Sequence, residues 1–445
     1  MRNATLWRAL LGVEQTVIED IDLDEDSAGR PGGEGSVVVA CVRPLRSSRG
    51  RCGRCGRRSP WFDRGEGRRR WRTLDLGVLE VYLEADSPRV DCAVHGPTVR
   101  QVPWARHGAG HTRAFDDQVA WLATQCSKRA ITELMRIAWR TVGSIITRVW
   151  ADIDSAHDRF AGLRRIGIDE ISYKRGFKYL TVVVDHDTGR LVWAAPGRDQ
   201  ATLHRFFDAL DDSTPPEDPT PRSAAITHLS ADGADWISVV TAQRCPRAVR
   251  CADAFHVVRW ATEALDAVRR EAWNTARRAA GGTRRDGHAH GQPRLIATGH
   301  ARVLKRARWA LWKNPENLTT RQRAKLDWIA KHDRRLHRAY LLKEGLRLIF
   351  QLDPAEAPHA LNRWLAWAAR SQLPPFITLA RRIRRHRASI LAAIDHNLSN
   401  GRIESVNTKI RLITRIAFGF RSPDALIALA MLNLGGHRPS LPGRT

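Results

Sequence analysis

Two aspartates each close a short apolar run, in Ile166-Gly167-Ile168-Asp169-Glu170 and Leu229-Ser230-Ala231-Asp232-Gly233. A carboxylate at the end of a buried strand is unfavourable unless a cation or hydrogen bonds compensate it, so both positions predict a bound metal. A third acid, Glu404, lies in the capped helix start Ser399-Asn400-Gly401-Arg402-Ile403-Glu404-Ser405-Val406-Asn407, on one face with Asn407, Thr408 and Arg411. Three carboxylates offer the hard oxygens that two magnesium ions require, with manganese as a substitute. Such a pair suits phosphodiester chemistry: one ion activates water or a 3′ hydroxyl and the other stabilises the leaving oxygen. Taken singly, each acid reads as a surface or capping residue; their shared order and setting carry the joint reading.

A second constellation is softer. Cys52-Gly53-Arg54-Cys55-Gly56 and Cys92-Ala93-Val94-His95-Gly96 are two knuckles, each followed by a glycine that lets the chain turn. Cys52, Cys55, Cys92 and His95 would hold one structural zinc tetrahedrally. The alternative is isolated structural cysteines. Cys41, a spare ligand by type, reads as a buried apolar residue because it lies far from Cys52. Seven cysteines with one tight pair point to metal rather than disulfides in a reducing compartment.

The elements that must position these groups follow from the period of the apolar residues. Ile166–Ile168, Tyr179–Val184, Leu191–Ala195 and Ala224–Leu229 are runs of strand length, with helical stretches at Ala201–Leu210 and Trp236–Ala242 and a further strand near Val249. This order predicts a mixed α/β layer. After His256 the pattern is helical: Val257–Trp273, Arg302–Trp312, Thr320–Phe350, Ala360–Ala369 and Ile377–Asp395, interrupted by a polar stretch from Gly281 to Gln292. Two further helices are expected at Arg402–Ile416 and Asp424–Leu434. Trp309, Trp312, Trp364 and Trp367 read as core of this helical block rather than as stacking platforms. The predicted divisions are 1–110 with the zinc ligands, 111–155, 160–273, 274–395 as a helical insertion, and 396–435 carrying Glu404.

Ser127 to Trp150 fits a helix-turn-helix, with a first helix around Ile131–Met135 and a second beginning near Arg140 and Thr141. Arg140, Ser144 and Arg148 would then face the major groove. An ordinary helical hairpin has the same spacing. The run Arg381-Arg382-Ile383-Arg384-Arg385-His386-Arg387 would grip phosphates or form a solvated face, and Arg68–Arg72 is similar.

Composition agrees with a polyanionic partner. The 445 residues carry 73 Lys and Arg against 47 Asp and Glu, a formal charge of +26, and 43% are hydrophobic, enough for several packed domains. The amino-terminal stretch has no sustained apolar region and meets acids early, so a cytoplasmic place and no membrane association are expected.

With Asp169-Glu170, the hairpin through Tyr179–Asp185, Arg198-Asp199, Asp232, Ala252-Asp253-Ala254-Phe255-His256-Val257-Val258, and Asn400-Gly401-Arg402-Ile403-Glu404 through Gly419-Phe420, the chain resembles the ISL-three group of bacterial insertion-sequence (DDE-type) transposases. Val102-Pro103-Trp104-Ala105 and Leu342-Lys343-Glu344 extend the likeness, which runs from about Cys52 to about Leu434. It implies an α/β ribonuclease H-like catalytic core with a large all-helical insertion, preceded by a small zinc-binding domain and a helix-turn-helix. It also implies an acidic triad of Asp169, Asp232 and Glu404 acting on double-stranded DNA, both terminal inverted repeats and target, with a homodimer or higher oligomer on DNA at the nucleoid. Asp253 competes with Asp232 as second ligand. Otherwise Asp253, His256, Asn400 and Asn407 orient the metal water or touch DNA. A catalytically silent DNA-binding regulator and an endonuclease of the same fold are the rival functions.

Overall fold

In the computed structural model the described residues are 2–24, 37–218, 220–232, 234–282, 292–398, 401–417, 419–420 and 422–444. They divide into two compact units, Met1–Arg159 with Ile410–Thr445, and Phe160–Lys409.

The first unit begins with α1 (Arg2–Leu11), β1 (Thr16–Asp24) and β2 (Val37–Pro44), followed by β3 (Trp61–Asp63), β4 (Arg68–Arg72), β5 (Glu80–Asp86), β6 (Arg89–Cys92) and β7 (Gly96–Val99). These strands form a sheet of order β1-β2-β5-β4 and a small antiparallel sheet β3-β6-β7. Only β2 and β5 run parallel in the first of these, among the described pairings. Its inward face buries Val38, Ala40, Val42, Trp71, Val81, Leu83 and Ala85. Trp104 closes that core edge-on to Trp71, with ring centroids 5.6 Å apart.

Three helices follow: α2 (Arg113–Gln125), α3 (Lys128–Met135) and α4 (Trp139–Ala156). Thr112 caps α2 through the amide of Phe115, and Ser127 caps α3 through that of Ala130. Arg136 ends α3 in the left-handed region (φ 52°), which makes the turn into α4 sharp. The expected helix-turn-helix boundaries are therefore present, with the second helix one residue earlier than Arg140.

The second unit opens with β8 (Arg165–Lys174), β9 (Lys178–Asp185) and β10 (Leu191–Pro196), then α5 (Gln200–Asp212), β11 (His228–Ala231), α6 (Asp235–Arg244) and β12 (Val249–Ala252). The sheet order is β10-β9-β8-β11-β12. β8, β9 and β10 pair antiparallel, whereas β11 lies parallel to both β8 and β12. Ile166, Ile168, Val183, Leu203, Phe206, Phe207, Leu229 and Val240 fill the core of this layer.

The helical block comprises α7 (Ala254–Gly282), α8 (Gln292–Arg306), α9 (Arg308–Trp312), α10 (Thr320–His332), α11 (Arg334–Ile349), α12 (Ala357–Ala369), α13 (Pro374–Arg385) and α14 (Arg387–Asp395). The continuous stretches read at Thr320–Phe350 and Ile377–Asp395 are each two helices. Asp333 breaks the first, because its carboxylate accepts the amide of Leu336 at 2.9 Å and starts a new helix. The break at His386 separates α13 from α14. α7 runs unbroken through the division placed at 273/274, and its Val257, Trp260, Ala261 and Leu265 already belong to the helical core. Trp364 is core as expected and donates to the Leu342 carbonyl at 2.8 Å, and Trp312 packs at its edge. Trp309 and Trp367 are exposed, contrary to expectation, because their helices turn these positions outward. Most of the polar stretch 281–292 lies outside the described residues. The chain ends with α15 (Gly401–Ile416) and α16 (Pro423–Leu434), the latter packed on α2 and α4. No helix among the described residues is long and apolar enough to cross a membrane.

Candidate active site and metal centre

Strand register brings the acids together. Ile168 pairs with Ala231, and Ala231 with Ala252, across β8, β11 and β12. The next residue on each strand is Asp169, Asp232 and Asp253, so the three carboxylates stand at one level at adjacent parallel strands.

Asp169 is held from two sides: Oδ1 accepts the amide of Glu170 at 2.7 Å and Oδ2 accepts Asn407 Nδ2 at 2.7 Å. Burial raises its carboxyl pKa above the ordinary range. The Glu170 amide and His256 oppose that rise, and the charges of Asp232 and Asp253 add to it. Glu170 next to it is pushed up to about 7 by burial, against the pull of its ion pair with Arg198, and its Oε1 is buried with no hydrogen-bond partner. Asp232 accepts the amide of Ala234 at 2.9 Å through Oδ1.

Asp253 is more fully committed. Oδ1 accepts the Phe255 amide at 3.1 Å and Oδ2 pairs with His256 Nδ1, so this buried residue starts α7 and fixes the imidazole. Burial lowers the His256 pKa, but the Asp253 carboxylate outweighs it and the net shift is upward. Both Asp253 oxygens are thus engaged within its own turn, whereas Asp232 is engaged through Oδ1. His256, Asp232 and Asp253 line a shallow cleft with Arg250, Trp260 and His386.

Three contacts lay the first turns of α15 on the sheet. The Arg402 guanidinium donates to the backbone carbonyls of His186 and Asp187. Ile403 sits directly over Gly167, where an added Cβ would clash with its Cδ1. Asn407 makes the Asp169 bond. Glu404, exposed, stands one turn before Asn407 on the same helical face. His186 beneath this contact bonds to buried Ser230 (Nε2 to Oγ, 2.6 Å) and has its pKa pushed down to about 4 by burial. Asn400 lies outside the described residues. Sequence reasoning missed Gly167, His186 and Arg402, whose roles appear only when α15 is docked; the glycine before the strand-end aspartate was the one visible sign.

In the first unit, Cys52, Cys55, Cys92 and His95 have all their ligand atoms within 4.8 Å of one another, and among the described residues no other group of three or more His, Cys, Asp and Glu converges to that distance. Cys52 Sγ to His95 Nδ1, Cys55 Sγ to Cys92 Sγ and Cys92 Sγ to His95 Nδ1 are each 3.7 Å. A tetrahedron with zinc–sulfur spokes of about 2.3 Å has edges of about 3.8 Å, so the donors fit zinc. Gly56 and Gly96 both adopt positive φ, 70° and 63°, as the knuckles require. Arg54 N–H points at Cys52 Sγ (3.4 Å), and the amide of Val94 with the His95 side chain pulls the Cys92 thiol down to about 5. Cys41 is half-exposed in β2, outside this set and bonded by Arg68.

On α4, Arg140 and Ser144 are exposed one turn apart. Arg148 is not available in the same way: it grips both oxygens of the fully buried Asp116 at 2.9 Å and ties α4 to α2. In the basic run of α13, Arg382 stacks on Trp260 at 3.6 Å, while Arg381, Arg384 and Arg385 face solvent.

Residues 166–430 match a family profile described as a transposase of the DDE ISL3 group, residues 100–150 match the helix-turn-helix domain of transposase family ISL3, and residues 48–95 match the zinc-finger of transposase IS204/IS1001/IS1096/IS1165. The chain is 63% identical over 450 residues to the transposase for insertion sequence element IS1557 of Mycobacterium tuberculosis, covering 100% of this chain and 98% of that one. It is 27% identical over 360 residues to the transposase for insertion sequence element IS1001 of Bordetella parapertussis, covering 80% and 82%.

Proposed function

The chain belongs to the ISL3 family of transposases, and from that premise we propose how its residues bind, cut and join DNA. It is a DNA-binding enzyme of transposition with a zinc-finger region and a helix-turn-helix ahead of its catalytic domain. The catalytic domain is ribonuclease H-like: three antiparallel strands followed by two parallel ones with intervening helices support that reading. The helical block from α7 to α14 is an insertion between the last strand and the helix that bears Glu404.

The observation that carries the active-site reading is the bond from Asn407, on the Glu404 helix, to Asp169, beside Asp232 at the next strand end. Asp169, Asp232 and Glu404 would hold two magnesium ions, or manganese. Hard carboxylate donors at adjacent strand ends, with burial and the charges of Asp232 and Asp253 both disfavouring Asp169 ionisation, support a cationic occupant. When bound, such ions supply a nucleophilic oxygen and stabilise the leaving one. The chain's own residues do the rest. Asn407 fixes the Asp169 carboxylate, Arg402 and Ile403 seat the Glu404 helix, and Asp253 orients His256 toward the cleft. One structural zinc stabilises the amino-terminal module. Arg140 and Ser144 read the terminal inverted repeats, and Arg148 keeps their helix in place. The working form is a homodimer or higher oligomer on DNA, acting in the cytoplasm at the nucleoid.

The test is incubation of purified protein with magnesium and labelled DNA from the gene's own flanks. Cleavage at the element ends and joining of the 3′ hydroxyl to a second duplex are expected. Cutting without joining would leave an endonuclease in place of this reading.

A further inference from the structure

We propose that a cleft between the amino-terminal sheet and the zinc-binding sheet seats the phosphate backbone of duplex DNA, through Arg49, Arg64 and Arg100. The proposal rests on the DNA-binding reading above and adds the place. The cleft, about 530 Å³, lies wholly within the first unit, between the end of β2 and the segment around Trp61 and Arg100.

Its charge is unbalanced. Five arginines line it against the acids Glu19 and Asp86. Two of the arginines are compensated: Arg43 pairs with Glu19 and Arg68 with Glu84, each at 2.7 Å. Among the described residues no carboxylate forms an ion pair with Arg49, Arg64 or Arg100. Arg49 donates its Nε to the Pro44 carbonyl at 3.2 Å, which orients the guanidinium and leaves its charge uncancelled. Arg100 Nε is buried with no hydrogen-bond partner. Burial, and then the charge of Arg49, push the Arg100 pKa below its usual value, only partly opposed by the Asp86 carboxylate across the cleft. An unsatisfied buried guanidinium donor that feels the charge of a second arginine lining the same cleft is an arrangement that an anion completes.

The anion is a backbone rather than a single small ion because the charges extend along an open cleft from half-buried Arg100 to exposed Arg64, with Trp61 exposed on the same wall. Phosphate contacts of this kind fix register on a duplex without reading its sequence. Glu19 of β1 and Val42, Arg43 and Pro44 of β2 form one wall of this seat.

The test is anisotropy of two fluorescein-labelled duplexes of equal length, one from the gene's own flank and one unrelated, titrated with full-length, zinc-loaded protein at several salt concentrations. The double variant Arg49→Gln, Arg64→Gln should weaken both duplexes by a similar factor, on the order of tenfold. It should also flatten the dependence of log K on log salt by between about 1 and 2, since each lost phosphate contact removes about 0.9. Arg100→Gln should act in the same direction. Arg64 is exposed, so Arg64→Gln alone keeps the test independent of folding, with zinc content as the check. An unchanged slope in a folded double variant overturns the cleft as a DNA seat, and so does a loss confined to the flank duplex. If the wild type binds neither duplex, the DNA-binding reading falls with it; if the wild type binds and the variants match it, the cleft alone falls.

Discussion

Asn407 reaches across 238 positions of sequence to donate a 2.7 Å hydrogen bond to Asp169. That single bond ties the helix of the third acid to the strand of the first. Asn407→Ala should lower strand cleavage by about 10- to 100-fold, the usual range when a group orienting a metal ligand is lost. Asn407→Asp should be worse, because it sets a second negative charge beside a carboxylate that burial already disfavours. End binding, measured by anisotropy, should stay near wild type in both; a variant with full cleavage would show the bond to be incidental.

Asp169→Asn, Asp232→Asn and Glu404→Gln each remove a charge at nearly constant shape. Each should reduce cleavage and strand transfer by roughly a hundredfold or more, a barrier increase of about 3 kcal/mol, and leave DNA binding intact. The comparison with Asp253→Asn under the same salt decides the second ligand. Near-normal cleavage by Asp232→Asn with a dead Asp253→Asn would transfer that role.

Gly167→Ala should act through Ile403. The new methyl would clash with Ile403 Cδ1 and come within 2.8 Å of both Ile403 Cγ1 and His186 Nε2, so the Ile403 side chain must turn away or its helix must shift. A stability loss of about 1–3 kcal/mol is expected from such overpacking, with a larger proportional loss of cleavage. Adding Ile403→Ala should restore part of the cleavage. No recovery in a folded double variant would place the effect elsewhere.

How much of this was legible in the sequence depended on distance. Asp169 and Asp232 were visible because each closes its own apolar run, and Cys52, Cys55, Cys92 and His95 because each knuckle is local. The turn at Arg136 was legible for the same reason. Arg148 misled: its spacing with Arg140 and Ser144 suits a groove-facing row, yet its partner Asp116 lies 32 positions earlier and is fully buried. Asp333 was hidden inside a helical period that continues on both sides of it. The helix from Val257 was read, but the division at 273/274 cuts through α7, since an amphipathic pattern does not reveal which neighbour its apolar stripe meets.

Zinc analysis should find about one ion per chain, and Cys52→Ser or Cys92→Ser should lose it together with terminal DNA binding. Retention of full zinc content by both variants would mean another ligand set.

His186 predicts an acid-side loss of stability. Its folded pKa near 4 lies below the ordinary 6.5, so between these values the unfolded chain holds a proton that the folded chain lacks. Stability contributed by the neutral imidazole is present above pH 6.5 and falls as pH drops toward 4. Relative to His186→Gln, the wild type should lose about 2 kcal/mol between pH 7.5 and pH 5. Parallel melting curves for the two proteins across that window would remove the assignment.

Helix α7 has a mechanical consequence. It starts beside Asp253 and His256 and runs 29 residues without a break, a rod of about 43 Å at 1.5 Å per residue. Pivoting such a rod by ten degrees about its first turn would carry its far end roughly 7 Å and its first turn less than about an ångström. Bulky material pressing on the distal end of the helical block is therefore geared down at the carboxylates, and the leverage works in reverse: a small tilt at the strand end is amplified into a wide sweep.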